Sequence, residues 1–373
     1  MRCILNMYDR CVKWGGYSMT GLSDVQRRWL DHRFRAMDMG HPAAAALRAA
    51  VAGHLERGAP VVHGGWHEPE PSEIHGVPRL CNLVPEPCDS GPPPDIRQVV
   101  STACIPPLPS VFHTLQSQLE DPAASPDDIA WTISMDPRLT ASLLRLVNSP
   151  LFGLRVKVDT VSRAVAILGA KHISTLAAGT LLLGLFHERP PRAIDIDEFW
   201  RHSVACGLAA RTLAICAGHT MPERHFVGGL LHDIGWLALC CGRPDLACAA
   251  LRHSGRTGCA LHEAEQHCFG FDHAGVAYAL AQQWELPATI ASAMRWHHQP
   301  PADAKGQPVF DAAVVHVADV IVHAMGYSVA ADQFAPALEP YFWNAAEVPV
   351  ESLDVVVRTV YAELELMVDL LQP

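Results

Sequence analysis

From about Pro106 onward the apolar residues of this chain recur at spacings of three and four, the period of helices that bury one face. "RLTASLLRLVNS" and "TVSRAVAILGAKHISTLAAGTLLLGLF" show it plainly, and Gly169 falls where the second stretch stops and restarts. Several starts have a local cause. Ser125-Pro126-Asp127-Asp128 places a capping serine, a proline at the first helical position and an acid at the third, and Asp136-Pro137 repeats the device. Further helices are predicted in "DEFWRHSVACGLAARTLAICAG", "HFVGGLLHDIGWLALCC", "FDHAGVAYALAQQWELP", "ATIASAMRWHH" and "FDAAVVHVADVIVHAMG", with loops around Gly242 and Pro244 and across "QPPADAKGQP". "VESLDVVVRTVYAELELMVDLL" reads as an amphipathic C-terminal helix, expected to pack on the core rather than pair with a second subunit. No alternating run bounded by turn signals requires a sheet, so the expected fold is all-α.

Ahead of this region, Ser23 and Gln26 form a capping-box pair, and "HPAAAALRAAVAGHLERG" favours helix up to Gly58. Residues 60 to 108 carry "EPEPSEIHGVP", "VPEPCDSGPPP" and "IPPLP", whose prolines remove backbone donors, and the stretch is read as a linker.

Composition narrows the possible functions. With 373 residues, 49% of them hydrophobic, the chain can bury a sizeable core. Its longest apolar run, Leu176 to Phe186, is 11 residues, well short of the roughly 20 that span a bilayer. The opening "MRCILNMYDRCVKWGGYSM" is interrupted by Asn6, Asp9, Arg10 and Lys13, so it lacks the continuous apolar core of a secretion signal. The 12 cysteines are scattered without a C-x-x-C pair, as expected of reduced thiols in a cytoplasmic protein. Net charge is −11 and no Lys/Arg cluster tracks a phosphate backbone, which argues against direct nucleic-acid binding. From Asp332 onward there are eight acidic residues and one basic, read as a solvated helix face.

Chemistry concentrates in the second half. His32, His41, His54, His63, His67 and His75, in the N-terminal third, are read as solvent-exposed. Later helices carry His202, the pair His232-Asp233, His273, the doublet His297-His298, and Asp319. Singly, each has an ordinary reading: His202 on an exposed face, Asp233 near a helix end, and the doublet at a helix terminus whose dipole suits imidazole. Together they are five imidazoles and two carboxylates on successive helices, and bundles build metal sites by projecting such groups inward. The set suffices for two ions bridged by Asp233. Imidazole with carboxylate suits a divalent transition metal such as iron, manganese, zinc or nickel.

The order "WRHS", "GLLHDIG", "FDHAG", "HH" and "VAD" resembles the HD superfamily of metal-dependent phosphohydrolases. Upstream, "IPPLPSVFHTLQSQLEDPAASPDDIAWTISMDPRLTASLLRLVNSPLFG" followed by "TVSRAVAILGAKHISTLA" resembles the HDOD family of bacterial signalling modules, over residues 103 to 325. The resemblance implies an HD-like helical bundle (191–330) with an additional helical layer before it (103–190). An N-terminal helical segment with its linker (1–102) and an acidic C-terminal helix (331–373) would flank them. It also implies a regulatory role through contacts with signalling proteins. His202, His232, Asp233, His273, His297, His298 and Asp319 match the ligand positions of the related HD-GYP cyclic dinucleotide phosphodiesterases. Activity on a nucleotide or cyclic dinucleotide, with Asp233 in the catalytic centre, is therefore the alternative. Against it, Trp236 stands where those enzymes have a lysine after "HDIG", and no Gly-Tyr-Pro follows His298.

Overall fold

Helix starts follow the side chains that cap them. The computed structural model describes residues 22–57, 95–102, 109–121, 123–184, 194–299, 307–329 and 335–371. Ser23 opens α1 (Asp24–Arg33): the Gln26 N–H donates to Ser23 Oγ at 3.2 Å and the Ser23 N–H to Gln26 Oε1 at 2.9 Å. These satisfy two backbone donors that the helix leaves open. α2 (Pro42–Glu56) is capped by His41, whose Nδ1 accepts from the Ala43 N–H. The segment read as linker contains a helix, α3 (Ile96–Thr102), which packs against the later bundle. Its Val99 is fully buried, so packing rather than composition decided its state.

The upstream layer comprises α4 (Ser110–Glu120), α5 (Pro126–Ser134), α6 (Pro137–Val147), α7 (Val161–Leu168) and α8 (Ala170–Gly184). Ser125 and Asp128 form a second capping box at α5, and Asp136 accepts from the Arg138 and Leu139 N–H groups at α6. Asn148 closes the layer's corner. Its amide donates to Leu144 O and Val158 O and accepts from the Val158 N–H, each at 2.7 Å. Gly169 ends α7 at φ +90°, a backbone state that L side chains avoid. Leu143, Leu146 and Val147 are buried and Leu144 is partly covered, as their apolar spacing requires. α8 packs on the bundle helix that follows the next connection but one, and α6 packs on the C-terminal helix.

The bundle is built from α9 (Ile196–Cys216), α10 (Pro222–Leu231), α11 (Ile234–Gly242), α12 (Pro244–Thr257), α13 (Leu261–Phe269), α14 (His273–Gln283), α15 (Ala288–Trp296) and α16 (Gln307–Ala324). The α12–α13 pair, where sequence patterning marked only a loop near Gly242, is added to the expected helices. α17 (Pro340–Ala345) leads to α18 (Ser352–Leu371), which lies against α9, α2 and α6. The C-terminal helix thus packs on the core. Among the described residues there is no strand, and no single helix is long and apolar enough to cross a membrane.

Some N-terminal histidines also differ from expectation. His54 stacks on Tyr361 of α18, with ring centroids 3.6 Å apart, and His41 meets the edge of Trp343, so both help dock the first helices. His63, His67 and His75 lie outside the described residues. Cys206, Cys216, Cys240 and Cys241 carry free thiols, whereas Cys248 is disulfide-bonded, contrary to the reading of uniformly reduced cysteines.

Candidate metal centre

Two glycines bring the site's helices into backbone contact. A Cβ on Gly229 would lie 2.6 Å from Cys206 O, and one on Gly235 would lie 2.0 Å from His273 O and 2.5 Å from Ala277 N. Real Cβ atoms do not approach so closely, so α10 can lie against α9, and α11 against α14, only because both positions lack a side chain. "GLLHDIG" therefore encodes two close approaches flanking the His232-Asp233 pair. His232 and Asp233 sit in the break between α10 and α11, which sequence patterning had read as one helix.

All seven expected residues converge. His202 comes from α9, His273 from the first position of α14, His297 and His298 from the end of α15, and Asp319 from α16. Asp233 is central: its Oδ1 lies 3.3 Å from His232 Nε2, 3.2 Å from His273 Nε2 and 3.5 Å from His297 Nε2, while its Oδ2 lies 3.5 Å from His202 Nε2. Asp233 thus touches residues of both of the two groups whose donor atoms could each hold an ion. One comprises His202, Cys206, His232 and Asp319; the other comprises Asp233, His273, His297 and His298.

The ring nitrogens pointing away from the centre are committed to acceptors. His202 Nδ1–H donates to Tyr327 O at 2.9 Å, His232 Nδ1–H to Gly229 O at 2.7 Å, His297 Nδ1–H to Met294 O at 3.0 Å, and His273 Nδ1–H to Glu265 Oε2 at 2.7 Å. A carbonyl or carboxylate can only accept, so each bond assigns the proton to Nδ1 and leaves Nε2 facing inward. Buried Asp233 Oδ1 and His297 Nε2 find no hydrogen-bond partner within the protein. Burying carboxylates and imidazoles with orphaned atoms is costly, and a divalent cation at their focus removes that cost. The residues therefore fit a metal.

The buried charges of the cluster act strongly on one another. Burial pushes the Asp233 carboxyl upward, yet His232, His202, His273 and His297 together hold it well below the usual carboxylate range. Burial also lowers His273, but Glu265 and Asp233 outweigh it and raise the imidazole well above its ordinary value, so an ion at Nε2 would displace a proton. His298 moves the other way, driven down by burial and then by His297, His262 and His273, so it remains a neutral ligand.

Three participants were not singled out by sequence reasoning. Cys206 Sγ lies 3.5 Å from His202 Nε2 and 3.9 Å from Asp319 Oδ1. His323 Nε2 lies 3.3 Å from Asp319 Oδ1. Both sit four residues after an expected ligand on the same helix, a spacing that puts them on its inner face. Glu265, fully buried on α13, had no such signal.

The pocket over the ligands is lined by Asp233, His262, His273, His298, Asp319 and His323 with Trp236, Ala260, Leu261, Val329 and Pro336. Its volume is about 40 Å³, room for a few water-sized groups. Trp236 is 1% exposed, and its indole N–H has no partner within the protein. Arg295, the nearest basic candidate in the sequence, is engaged instead with Asp272 at 3.8 Å and stacks on Trp296.

Comparison with known proteins agrees with this architecture. A protein of Treponema pallidum (strain Nichols), itself uncharacterized, is 29% identical over 202 residues; the alignment covers 53% of this chain but 38% of that one. The chain thus spans well under half the length of this relative. Among solved structures, an HDOD domain protein of unknown function from Geobacter sulfurreducens superposes with a TM-score of 0.58 at 22% identity, covering 74% of this chain and 98% of that one. A candidate signal transduction protein from Marinobacter aquaeolei VT8 gives 0.58 at 19% identity, covering 73% and 61%. A candidate phosphohydrolase from Shewanella amazonensis SB2B gives 0.50 at 20% identity, covering 70% and 98%. At these identities the likeness shows the fold. Residues 105–300, more than half of the chain, match the HDOD domain model, and the chain belongs to the HDOD family.

Proposed function

We propose that this chain is a bacterial signal-transduction module that binds divalent transition metal in its HD-like site and acts through contacts with signalling proteins. The observation that carries this reading is the pocket wall: an intact set of candidate ligands lies beneath a lining that, among the described residues, contains no lysine or arginine. His202, His232, Asp319, Asp233, His273, His297 and His298 would hold one or two ions, with iron, manganese, zinc and nickel all compatible with the donors. Such ions supply Lewis acidity and an activated water to phosphohydrolases.

Among the described residues, no set completes a phosphodiester site. Positioning a phosphodiester also needs donors on its non-bridging oxygens. Trp236 offers one N–H and a wide apolar face, and Arg295 is paired elsewhere. The outer surface of the upstream layer is better suited to protein contact. Trp131 (70% exposed), Met135, Val156 and Ile167 all belong to it, and exposed apolar groups of this size mark interaction surfaces when they cluster. Residues 103–190 and 191–330 would then work together as layer and bundle, within a cytoplasmic protein.

The complete ligand set favours one competing reading, a metal-dependent phosphohydrolase with Asp233 in its catalytic centre. Elemental analysis of purified protein, followed by a phosphodiesterase assay across metals, separates the two. The expected result is bound metal with undetectable cyclic dinucleotide hydrolysis. Turnover on the order of 1 per second or faster, abolished by Asp233→Ala, would replace the regulatory reading with the enzymatic one.

A further inference from the structure

We infer that Cys206 is the fourth protein ligand of the first metal position, closing it as a sulfur-containing, zinc-type structural site unlike the second position. The inference rests on the metal-binding reading above and concerns how this chain divides its two positions.

The separations between donor atoms support it. A tetrahedral ion with bonds of about 2.0–2.1 Å to nitrogen or oxygen and about 2.3 Å to sulfur holds its ligand atoms about 3.3 to 3.6 Å apart. His202 Nε2 lies 3.4 Å from His232 Nε2 and 3.4 Å from Asp319 Oδ1, and His232 Nε2 lies 3.7 Å from Asp319 Oδ1. Cys206 Sγ adds 3.5 Å to His202 Nε2 and 3.9 Å to Asp319 Oδ1. Five of the six edges of a tetrahedron thus lie at or slightly above the required length. All four donor atoms fall within 4.8 Å of one another.

Helix geometry explains how the sulfur gets there. His202 and Cys206 are one turn apart on α9, so both reach the same point, and the bare Gly229 lets α10 bring His232 against Cys206. A buried cysteine is often only a small apolar filler. Cys240 fits that description, being a buried free thiol on α11 outside both ligand groups, whereas Cys206 is inside one.

The consequence is chemical. The second position offers three imidazoles and a carboxylate, while thiolate in the first selects for zinc-like ions. On coordination the thiol proton leaves to solvent, so loading releases acid. With Asp233, whose Oδ2 lies 3.5 Å from His202 Nε2, then serving the second position alone, a first position filled by four protein donors has no place for the water that hydrolytic sites keep open. On the regulatory reading proposed above, Cys206 therefore gives a complete ligand set a structural use.

The test uses the full chain, stripped of metal and titrated with Co²⁺ under reducing conditions, with bound cobalt measured by elemental analysis. A near-ultraviolet thiolate-to-cobalt charge-transfer band should accompany binding. Cys206→Ser and Cys206→Ala should lose the band and bind one equivalent at least about 10-fold more weakly, since even outer-shell changes cost that much. Cys240→Ser should keep the band, and circular dichroism checks that each variant is folded. Cobalt bound without the band, or a band surviving in folded Cys206→Ser protein, overturns the sulfur ligand while leaving metal binding intact. If wild-type protein binds no cobalt, both the inference and the metal-binding reading fail.

Discussion

Glu265 shows how much of the candidate metal centre depends on residues outside its two donor groups. It is fully buried, and its Oε2 accepts both the backbone N–H and the Nδ1–H of His273, at 2.8 and 2.7 Å. That pair fixes the ring so that Nε2 meets Asp233. Removing the carboxylate in Glu265→Ala should leave the ring free to turn and weaken divalent-ion binding by roughly 10- to 100-fold. Glu265→Gln, which keeps an acceptor oxygen, should recover much of the loss. Competition against a chromophoric chelator measures both, and equal affinities for wild type and the alanine variant would show that His273 is oriented by something else. No spacing in the sequence pointed to Glu265, because its partner is eight residues away across a helix boundary.

At the scale of elements, the informative unit is the break between α10 and α11 rather than either helix. Apolar patterning runs unbroken through "HFVGGLLHDIGWLALCC" and so reads as one helix. The break is visible only once Gly229 and Gly235 are seen against α9 and α14. Gly235→Ala places a methyl where the backbone of His273 and Ala277 already lies, and no side-chain rotation relieves that contact. The expected destabilisation is on the order of 3 kcal/mol, read as a lower urea midpoint with an unchanged slope. A midpoint within error of wild type would mean that the two helices do not approach as closely as described.

Across the whole molecule, histidines kept neutral between packed elements make stability depend on acidity. His225, on α10, packs against Phe310 and His219, and its Nε2 is 3.6 Å from Asp311 Oδ1. Burial, followed by Arg224 and His219, pushes it down to about 3. His54, stacked between α2 and α18, is pushed down to about 4, chiefly by burial. In the unfolded chain both return to about 6.5. Each folded value is depressed, so below pH 6.5 the unfolded state takes up protons that the folded state refuses. Stability therefore falls as pH drops from about 6.5 toward 3 to 4. For the buried His225 alone, the loss by pH 5 is about 2 kcal/mol. Urea denaturation of metal-free protein at pH 7 and pH 5 should show the midpoint falling; a constant midpoint would contradict neutral burial.

The sequence by itself determined the helical class, the caps at Ser23, Ser125 and Asp136, the stop at Gly169 and the seven residues that converge in the centre. Each of these depends on near neighbours along the chain or on a recognisable order of motifs. Tertiary structure decided what depends on distance through space. α3 forms inside a proline-rich stretch because the bundle covers it, and α12 and α13 appear where only a loop was marked. His41 and His54 became docking residues because α17 and α18 return to meet the first helices. Cys206 and His323 were chemically silent until folding brought them within 4 Å of ligands contributed by other turns of helix. Trp236 could be read as a missing lysine, but only packing shows that its indole is buried in the pocket wall and that Arg295 turns to Asp272. Periodicity reports which face of a helix is buried; what that face meets is set by the rest of the chain.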